Sequence, residues 1–169
     1  MLKPMKINDI DLRRLAVRVG RELQAAGSRM ATAESCTGGW IAKVLTDIPG
    51  SSEWFSEGFV TYSNEAKIRR LGVRRSLLES DGAVSEAAVR AMARGALDRS
   101  DAQIAVAVSG IAGPGGATAG KPVGTVWLCW AERQGGRLHL TSRRRQFRGD
   151  REAVRRKTVR AALQGILQR

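Results

Sequence analysis

The stretch AQIAVAVSGIAGPGG, residues 102–116, decides the fold. Small and β-branched residues run from Ile104 to Val108, and glycines crowd the second half of the stretch. A short apolar run that ends in a glycine-rich turn is typical of a strand buried on both faces of a sheet. Helices cover both faces of such sheets, so the stretch predicts an α/β fold.

A second stretch, MATAESCTGG at residues 30–39, has the same form. In open α/β sheets ligands bind at the carboxyl ends of strands, and the two glycine loops SCTGG and SGIAGPGG occupy that position. Glycines let backbone N–H groups approach an anion closely. Neither loop matches the P-loop or the dinucleotide-binding fingerprint. An ordinary surface turn, broken by Pro114, is the alternative for SGIAGPGG.

The remaining elements are predicted outward from these two strands. Helical periodicity or capping patterns indicate helices over residues 9–26, from 38 to before Pro49, from a cap at Asn64 to Gly72, from a cap at Ser85, and from Asp150 to the end. Further strands are predicted in EGFVTYSN, GTVWLCWAE and RLHLTSRRRQF. Helices and strands alternate early and strands cluster late. We therefore expect a single three-layer α/β/α domain over residues 1–169, with a core at about 10–167 and a mixed sheet covered by helices on both faces.

Composition narrows the class of protein. A chain of 169 residues with 43% hydrophobic content is expected to fold as one globular domain. No stretch approaches the roughly 20 apolar residues of a membrane helix, and charges interrupt the first residues, so a cytoplasmic protein without membrane contact is expected. Cys36 and Cys129 lie far apart with no CxxC spacing, which predicts neither a metal site nor a disulfide, and no cofactor is expected.

The net charge of +13 is concentrated near the C-terminus. Residues 133–169 contain 12 basic and 2 acidic residues. Such a segment could attract phosphates or nucleic acid. No helix-turn-helix, RNA-recognition or zinc pattern accompanies it, and an arginine-rich composition bias is the alternative. A nucleic-acid partner is therefore the weaker hypothesis.

The serine in ESCTGG is one candidate nucleophile. A Ser-His-Asp triad would need a histidine. The only histidine of the chain is His139, and no motif surrounds it. Lysine can act as the base when its pKa is lowered, and neighbouring cations favour the neutral form by repulsion. Lys43 is predicted to point outward from its helix, whereas Lys67 follows Tyr62 in TYSNEAK. A tyrosine hydroxyl beside the lysine could relay a proton or hold a substrate group. A solvated Lys67 and a partly buried Tyr62 remain the alternatives.

The neighbours of this serine are also candidates. A Cys36 thiolate at a helix start could be reactive, although a small buried cysteine is the commoner outcome. Glu34 could orient a base, bind a substrate amide or pair with an arginine. Residue types alone leave these alternatives open.

Three stretches together resemble the CinA C-terminal domain family: TAESCTGGWIAKVLTDIPGSSEWFSEGFVTYSNEAK, GAVSE and VAVSGIAGPGGATAGKPVGTVW. They follow the order of the family, whose enzymatic members are nicotinamide-nucleotide amidohydrolases. The resemblance implies deamidation of nicotinamide mononucleotide (NMN) to nicotinate mononucleotide and ammonia, in a homo-oligomer of the form without the additional N-terminal domain. It also implies that Ser35, Tyr62 and Lys67 are catalytic.

The glycine turn would then hold the oxyanion, and SGIAGPGG with nearby arginines would hold the 5′-phosphate. The expected substrate-binding residues are Glu34, Thr37, Gly38, Gly39, Ser109, Gly110, Gly113, Gly115, Gly116, Arg148 and Arg151. Three alternatives remain open: a catalytically inactive nucleotide-binding member of the family, a serine hydrolase acting on another amide or ester, and a nucleic-acid-binding protein.

Overall fold

The computed structural model describes residues 7–169 and contains one five-stranded sheet with the strand order β2-β1-β3-β4-β5. The strand β1 pairs in parallel with β2 on one side and β3 on the other, whereas β3, β4 and β5 pair antiparallel. The strands are β1 (Met30–Glu34), β2 (Phe55–Val60), β3 (Ile104–Gly110), β4 (Thr125–Gln134) and β5 (Arg137–Gln146). This mixed sheet confirms the predicted α/β class.

Helices lie on both faces of the sheet. They are α1 (Asp9–Ala25), α2 (Trp40–Thr46), α3 (Asn64–Leu71), α4 (Arg75–Asp81), α5 (Glu86–Asp98) and α6 (Arg151–Ile166), with a 3₁₀ turn at Ser51–Glu53. One buried cluster joins α1, α2 and α6 to the sheet, and a second cluster joins α3, α4 and α5 to the opposite face. The two clusters make the three-layer arrangement that the sequence predicts.

The residues of β3 explain why the two layers differ. Ile104, Val106 and Val108 face the α1–α2–α6 side, and Ala105 and Ala107 face the α3–α4–α5 side. Side chains alternate between the faces of a strand, so every second residue belongs to the same layer. Large side chains therefore fill one layer, while the alanine face lets α5 approach the sheet closely.

Glycine also allows close packing between helices. A Cβ atom at Gly95 in α5 would lie 2.0 Å from the carbonyl oxygen of Leu71 at the end of α3. No side chain fits at that distance. The contact fixes α3, and with it the residues that this helix supplies, against α5.

Several boundaries differ from the predictions. The strand β2 ends at Val60, so Tyr62 lies in the following loop and not at a strand end. Ser63, not Asn64, caps α3, and its side chain accepts a hydrogen bond from the N–H of Ala66. The helix predicted from Gly38 begins at Trp40, because Gly38 and Gly39 both have positive φ. The sequence did not predict α4, whereas the predicted caps Ser85 and Asp150 are confirmed.

Candidate active site

A cavity of about 210 Å³ opens at the carboxyl ends of the parallel strands. Ser35 enters it directly after β1, and Ser109 and Gly110 enter it from the end of β3. The other lining residues are Cys36, Tyr62, Lys67, Ala83, Val84, Ala112 and Arg151. The cavity therefore lies where ligands bind in open α/β sheets.

Lys67 points from the first half of α3 into this cavity and is only 1% exposed. Its Nζ atom lies 3.0 Å from Ser35 Oγ, 2.8 Å from the carbonyl oxygen of Thr61 and 3.2 Å from that of Tyr62. An ammonium group has three N–H donors, and each has an acceptor here. The structure thus brings the predicted serine and lysine into direct contact, and Lys67 is not a solvated helix residue.

Burial lowers the pKa of Lys67 to about 8. Removal of a charged group from water disfavours its charged form. Repulsion by neighbouring arginines, expected from the sequence, is not the cause. Burial raises the pKa of the adjacent Cys36 thiol to about 12, so this cysteine keeps its proton at neutral pH and packs as a small apolar residue.

Tyr62 is 62% exposed, and its hydroxyl accepts a hydrogen bond from Arg151 over 3.1 Å. A second nitrogen of Arg151 donates to the carbonyl oxygen of Gly113 over 2.8 Å. Tyr62 contacts Lys67 only through its backbone carbonyl. The Tyr62 hydroxyl therefore does not form the expected hydrogen bond with Lys67. Arg151 instead joins Tyr62 to the glycine loop at the edge of the cavity.

Glu34 is fully buried, and its carboxylate holds the start of α2. It accepts hydrogen bonds from the Thr37 hydroxyl over 2.6 Å and from the N–H groups of Ile41 and Ala42 over 2.9 and 3.0 Å. Neither Glu34 nor Thr37 lines the cavity. Both residues shape the turn that carries Ser35.

The turn after Ser35 leaves three backbone N–H groups without a hydrogen-bond acceptor. The N–H of Ser35 donates to the carbonyl oxygen of Val108, and the N–H of Gly38 donates to the carbonyl oxygen of Ser35. Within residues 7–169 no acceptor is bound to the N–H of Cys36, Thr37 or Gly39, and of these three residues only Cys36 lines the cavity. Backbone N–H groups just after a nucleophile are suitable donors for an oxyanion.

A residue that the sequence analysis missed holds this turn from the outside. Arg155 in α6 donates to the carbonyl oxygens of Cys36 and Thr37. From the sequence, the arginine-rich segment is expected to bind phosphates or nucleic acid, or to reflect a composition bias, and no contact of Arg155 is predicted. Ala83, Val84 and Ala112 form an apolar wall of the cavity that the sequence did not predict.

The glycine loop contributes less to the cavity than expected. Gly113 lies behind the lining and touches Arg151 through its carbonyl, while Gly115 and Gly116 are exposed away from the cavity. Gly38 and Gly39 form the turn without lining the cavity. Arg148 lines a separate basic groove of about 1320 Å³ beside α6 and β5.

The part of the chain that the structure describes contains neither a metal-binding cluster nor a membrane-spanning helix. No three His, Cys, Asp or Glu side chains within residues 7–169 are grouped so that they could hold a metal ion. None of the helices in this range is long and apolar enough to cross a membrane. His139 is exposed on β5 and does not line the cavity.

A serine hydroxyl that contacts a buried lysine and lies beside unpaired backbone N–H groups can accept an acyl group and then release it to water. The fold and the cavity thus define a nucleophilic type of site. Residues 12–169 match the model of the CinA C-terminal domain, and the chain belongs to this family.

Relatives with high sequence identity extend over almost the whole chain. The chain is 57% identical to the nicotinamide-nucleotide amidohydrolase PncC of Pseudomonas putida, over 91% of this chain and 94% of that one. It is 53% identical to the protein of the same name from Escherichia coli K12, over 96% of both chains. The crystal structure of the competence damage-inducible protein A from Klebsiella pneumoniae superposes with a TM-score of 0.89 at 43% identity, covering 94% of this chain and 96% of that one.

Proposed function

We propose that this protein is an amidohydrolase that converts NMN and water into nicotinate mononucleotide and ammonia. The observation that carries the proposal is the 3.0 Å contact between Ser35 Oγ and the Nζ atom of the buried Lys67. The names of the two relatives identical at 53% and 57% supply the substrate class.

The two carbonyl oxygens around Lys67 direct the proton transfer. Neutral Nζ has two hydrogens and one lone pair, and the carbonyl oxygens of Thr61 and Tyr62 can only accept hydrogen bonds. The two hydrogens go to these carbonyls, so the lone pair turns to Ser35. Lys67 is thereby oriented to take the hydroxyl proton.

In the first half-reaction Lys67 takes the Ser35 proton, and Oγ forms a bond to the carboxamide carbon. The unpaired N–H of Cys36, a residue that lines the cavity, holds the oxyanion. The C–N bond then breaks, and the Lys67 ammonium gives its proton to the departing nitrogen, which leaves as ammonia. Water attacks the acyl-enzyme in the second half-reaction. Lys67 takes a proton from that water and returns one to Ser35 as nicotinate mononucleotide leaves.

The cavity suits the pyridine ring and its carboxamide more than the whole nucleotide. Ligand pockets for drug-sized molecules usually exceed about 300 Å³, and this cavity has about 210 Å³. Ala83, Val84 and Ala112 would contact the ring, so the ribose and phosphate would extend outward past Tyr62. Arg151 at this edge is the cation we assign to the 5′-phosphate. Tyr62 is then a substrate-side residue that orients Arg151, not a proton relay.

Ammonia release from purified protein tests the proposal. We expect turnover of NMN, and loss of at least about 10³-fold in kcat for Ser35→Ala and Lys67→Met. Lys43→Met is the matched control, since Lys43 is exposed and paired only with Asp47. Full activity of Ser35→Ala would refute the nucleophile. Tight NMN binding without ammonia would identify a nucleotide-binding protein instead.

Several expectations from the sequence stay predictions beside this proposal. They are a cytoplasmic location, assembly into a homo-oligomer, and a reaction that needs no metal or cofactor. Light scattering of the purified protein measures the oligomeric state. Activity after exhaustive chelation tests whether the reaction needs a metal.

A further inference from the structure

Arg155 forms a fork on the turn that carries Ser35. Its Nε atom donates to the carbonyl oxygen of Cys36 over 3.1 Å, and one terminal nitrogen donates to that of Thr37 over 3.0 Å. The planar guanidinium presents such paired donors in a fixed geometry that an ammonium cannot copy. Arg155 is half-buried and does not line the cavity, so its contacts are with the turn and not with a substrate in that cavity.

A tryptophan fixes the other side of the guanidinium. The Cζ atom of Arg155 lies 5.4 Å from the centre of the Trp40 ring, within the range of a cation–π contact. Trp40 is the first residue of α2 and follows the turn directly. The segment from Cys36 to Trp40 therefore contacts Arg155 in two ways, through carbonyl oxygens and through an aromatic ring.

Peptide geometry links these carbonyls to the unpaired N–H groups. In a trans peptide the C=O and the following N–H point in opposite directions. With the Cys36 carbonyl directed at Arg155, the N–H of Thr37 points away from Arg155. With the Ser35 carbonyl directed at the N–H of Gly38, the N–H of Cys36 points away from Gly38. Arg155 thus fixes the direction of the Thr37 N–H, and the hydrogen bond between Ser35 and Gly38 fixes that of the Cys36 N–H.

Gly38 of the turn lies next to the guanidinium of Arg155. Gly38 has a φ of +59°, and a Cβ atom there would lie 3.4 Å from a terminal nitrogen of Arg155. That distance is an ordinary van der Waals contact, so the positive φ, and not crowding by the guanidinium, favours glycine here. The turn and α6 are thus in direct contact although more than a hundred residues separate them.

We propose that Arg155 is a positioning residue for the deamidation, which holds the Cys36 and Thr37 carbonyls and so fixes the turn from which Ser35 enters the cavity. This inference rests on the proposed function. An arginine that acts only in the transition state changes kcat and leaves KM almost unchanged.

The kinetic test compares two neighbouring arginines. Arg155→Met keeps an unbranched apolar side chain over Trp40 but loses both hydrogen bonds, and we expect kcat to fall by about 10- to 100-fold with KM within about threefold. Arg156→Met is the matched control, because Arg156 also lies over Trp40 but pairs with Asp9 and Glu152. It should retain kcat within about twofold. Guanidinium ion added to Arg155→Ala should restore part of kcat. Equal losses in both Met variants, or a purely KM effect, would overturn the proposal.

A second readout does not depend on NMN. A small sulfonyl fluoride labels an activated serine: the Oγ–S bond forms, fluoride leaves, and Lys67 takes the proton. Mass spectrometry follows the labelling of Ser35. Slow labelling in Arg155→Met and normal labelling in Arg156→Met would support the positioning role even if NMN is not turned over, which would refute only the proposed function. Equal labelling rates in all variants, or no labelling and no turnover of the wild type, would overturn the role.

Thermal unfolding separates positioning from loss of the fold. Should Arg155→Met not fold, Arg155→Lys keeps the charge while providing only a single-point donor. We expect Arg155→Lys to fold and to lose about tenfold in kcat. Wild-type kcat in Arg155→Lys would overturn the requirement for the fork.

Discussion

At the scale of single residues, the lysine inside the cavity decides what the site can do. A buried amine is present in part as the neutral base at neutral pH, and its two carbonyl partners direct its lone pair to the serine. No periodicity or composition reveals such burial. In the sequence, Lys67 is a candidate base because it follows Tyr62 closely, and a solvated lysine is the alternative.

The pH dependence of turnover follows from the lowered pKa of Lys67, about 8. Only the neutral amine accepts the serine proton, so kcat/KM should rise about tenfold per pH unit below pH 8 and level off above it. Initial rates of ammonia release between pH 6 and 10 measure this profile. A flat profile across that range would contradict a lysine base.

The same pKa affects stability. Lys67 loses its proton more easily in the folded chain than in the unfolded chain, whose value is near 10.5. Between pH 8 and 10.5 the unfolded chain binds more protons, so the wild type should gain stability relative to Lys67→Met as pH rises, by up to about 3 kcal/mol. Urea unfolding of both proteins across this window measures the difference. A difference independent of pH would contradict the burial of a titrating amine.

At the scale of elements, the Ser35 turn is held by groups from three places. Glu34 secures the start of α2 from inside, β3 accepts the N–H of Ser35, and α6 contributes Arg155 from outside. The sequence predicted the strand, the turn and the following helix. It did not predict the partners, because each contact joins segments that are distant along the chain.

Glu34→Gln separates a structural role from a substrate-binding role. The amide nitrogen of glutamine cannot accept a hydrogen bond, so one of the three donors now held by Glu34 loses its partner. We expect a loss of about 1–3 kcal/mol in unfolding free energy with KM for NMN unchanged. Chemical denaturation and steady-state kinetics measure both quantities. A raised KM at unchanged stability would instead assign Glu34 to the substrate.

Gly95→Ala tests the contact between α3 and α5. Alanine in a helix interior usually stabilises by about 0.5–1 kcal/mol relative to glycine. Here its Cβ would meet the Leu71 carbonyl at 2.0 Å, so we expect destabilisation by about 1–3 kcal/mol. Gly115→Ala is the control: its Cβ would meet nothing within 4 Å, and its unfolding free energy should stay within about 0.5 kcal/mol of wild type. A stabilised Gly95→Ala would show that the helices can separate.

At the scale of the whole molecule, the positive charge lies largely on the last strand and helix. Within residues 7–169, Arg145, Arg148 and Arg160 have no carboxylate within ion-pair distance. Other arginines of α6 have defined structural contacts, including Arg151 and Arg155. Part of the charge is therefore used to assemble the site.

We expect only weak, non-specific binding to duplex DNA, with a Kd no tighter than about 10⁻⁶ M at physiological salt. The reason is that charge alone, without a recognition element, supplies only the salt-dependent contribution. Fluorescence anisotropy with a labelled duplex at increasing salt measures it. DNA binding that stays tight at 0.15 M salt, or DNA binding that inhibits ammonia release, would support the nucleic-acid hypothesis.

The fold was predictable because its strands and most helices are marked locally, by apolar runs, caps and glycines. The site was predictable in part. Ser35 and Lys67 stand in motifs, but the wall formed by Ala83, Val84 and Ala112 consists of ordinary small residues. The direction of the Tyr62 side chain depends on Arg151 in α6, and nothing near Tyr62 in the sequence indicates that partner.

The hydrogen bonds from Arg155 to the Ser35 turn also mean that the ribosome must synthesise α6 before the active site is complete. Ser35 and Lys67 are synthesised before the arginine that completes their turn, which follows Lys67 by 88 residues. A partly made chain has the nucleophile and its base before it has the element that aligns them. The rate of chemical labelling at Ser35 should therefore rise by about 10- to 100-fold when α6 leaves the exit tunnel and docks.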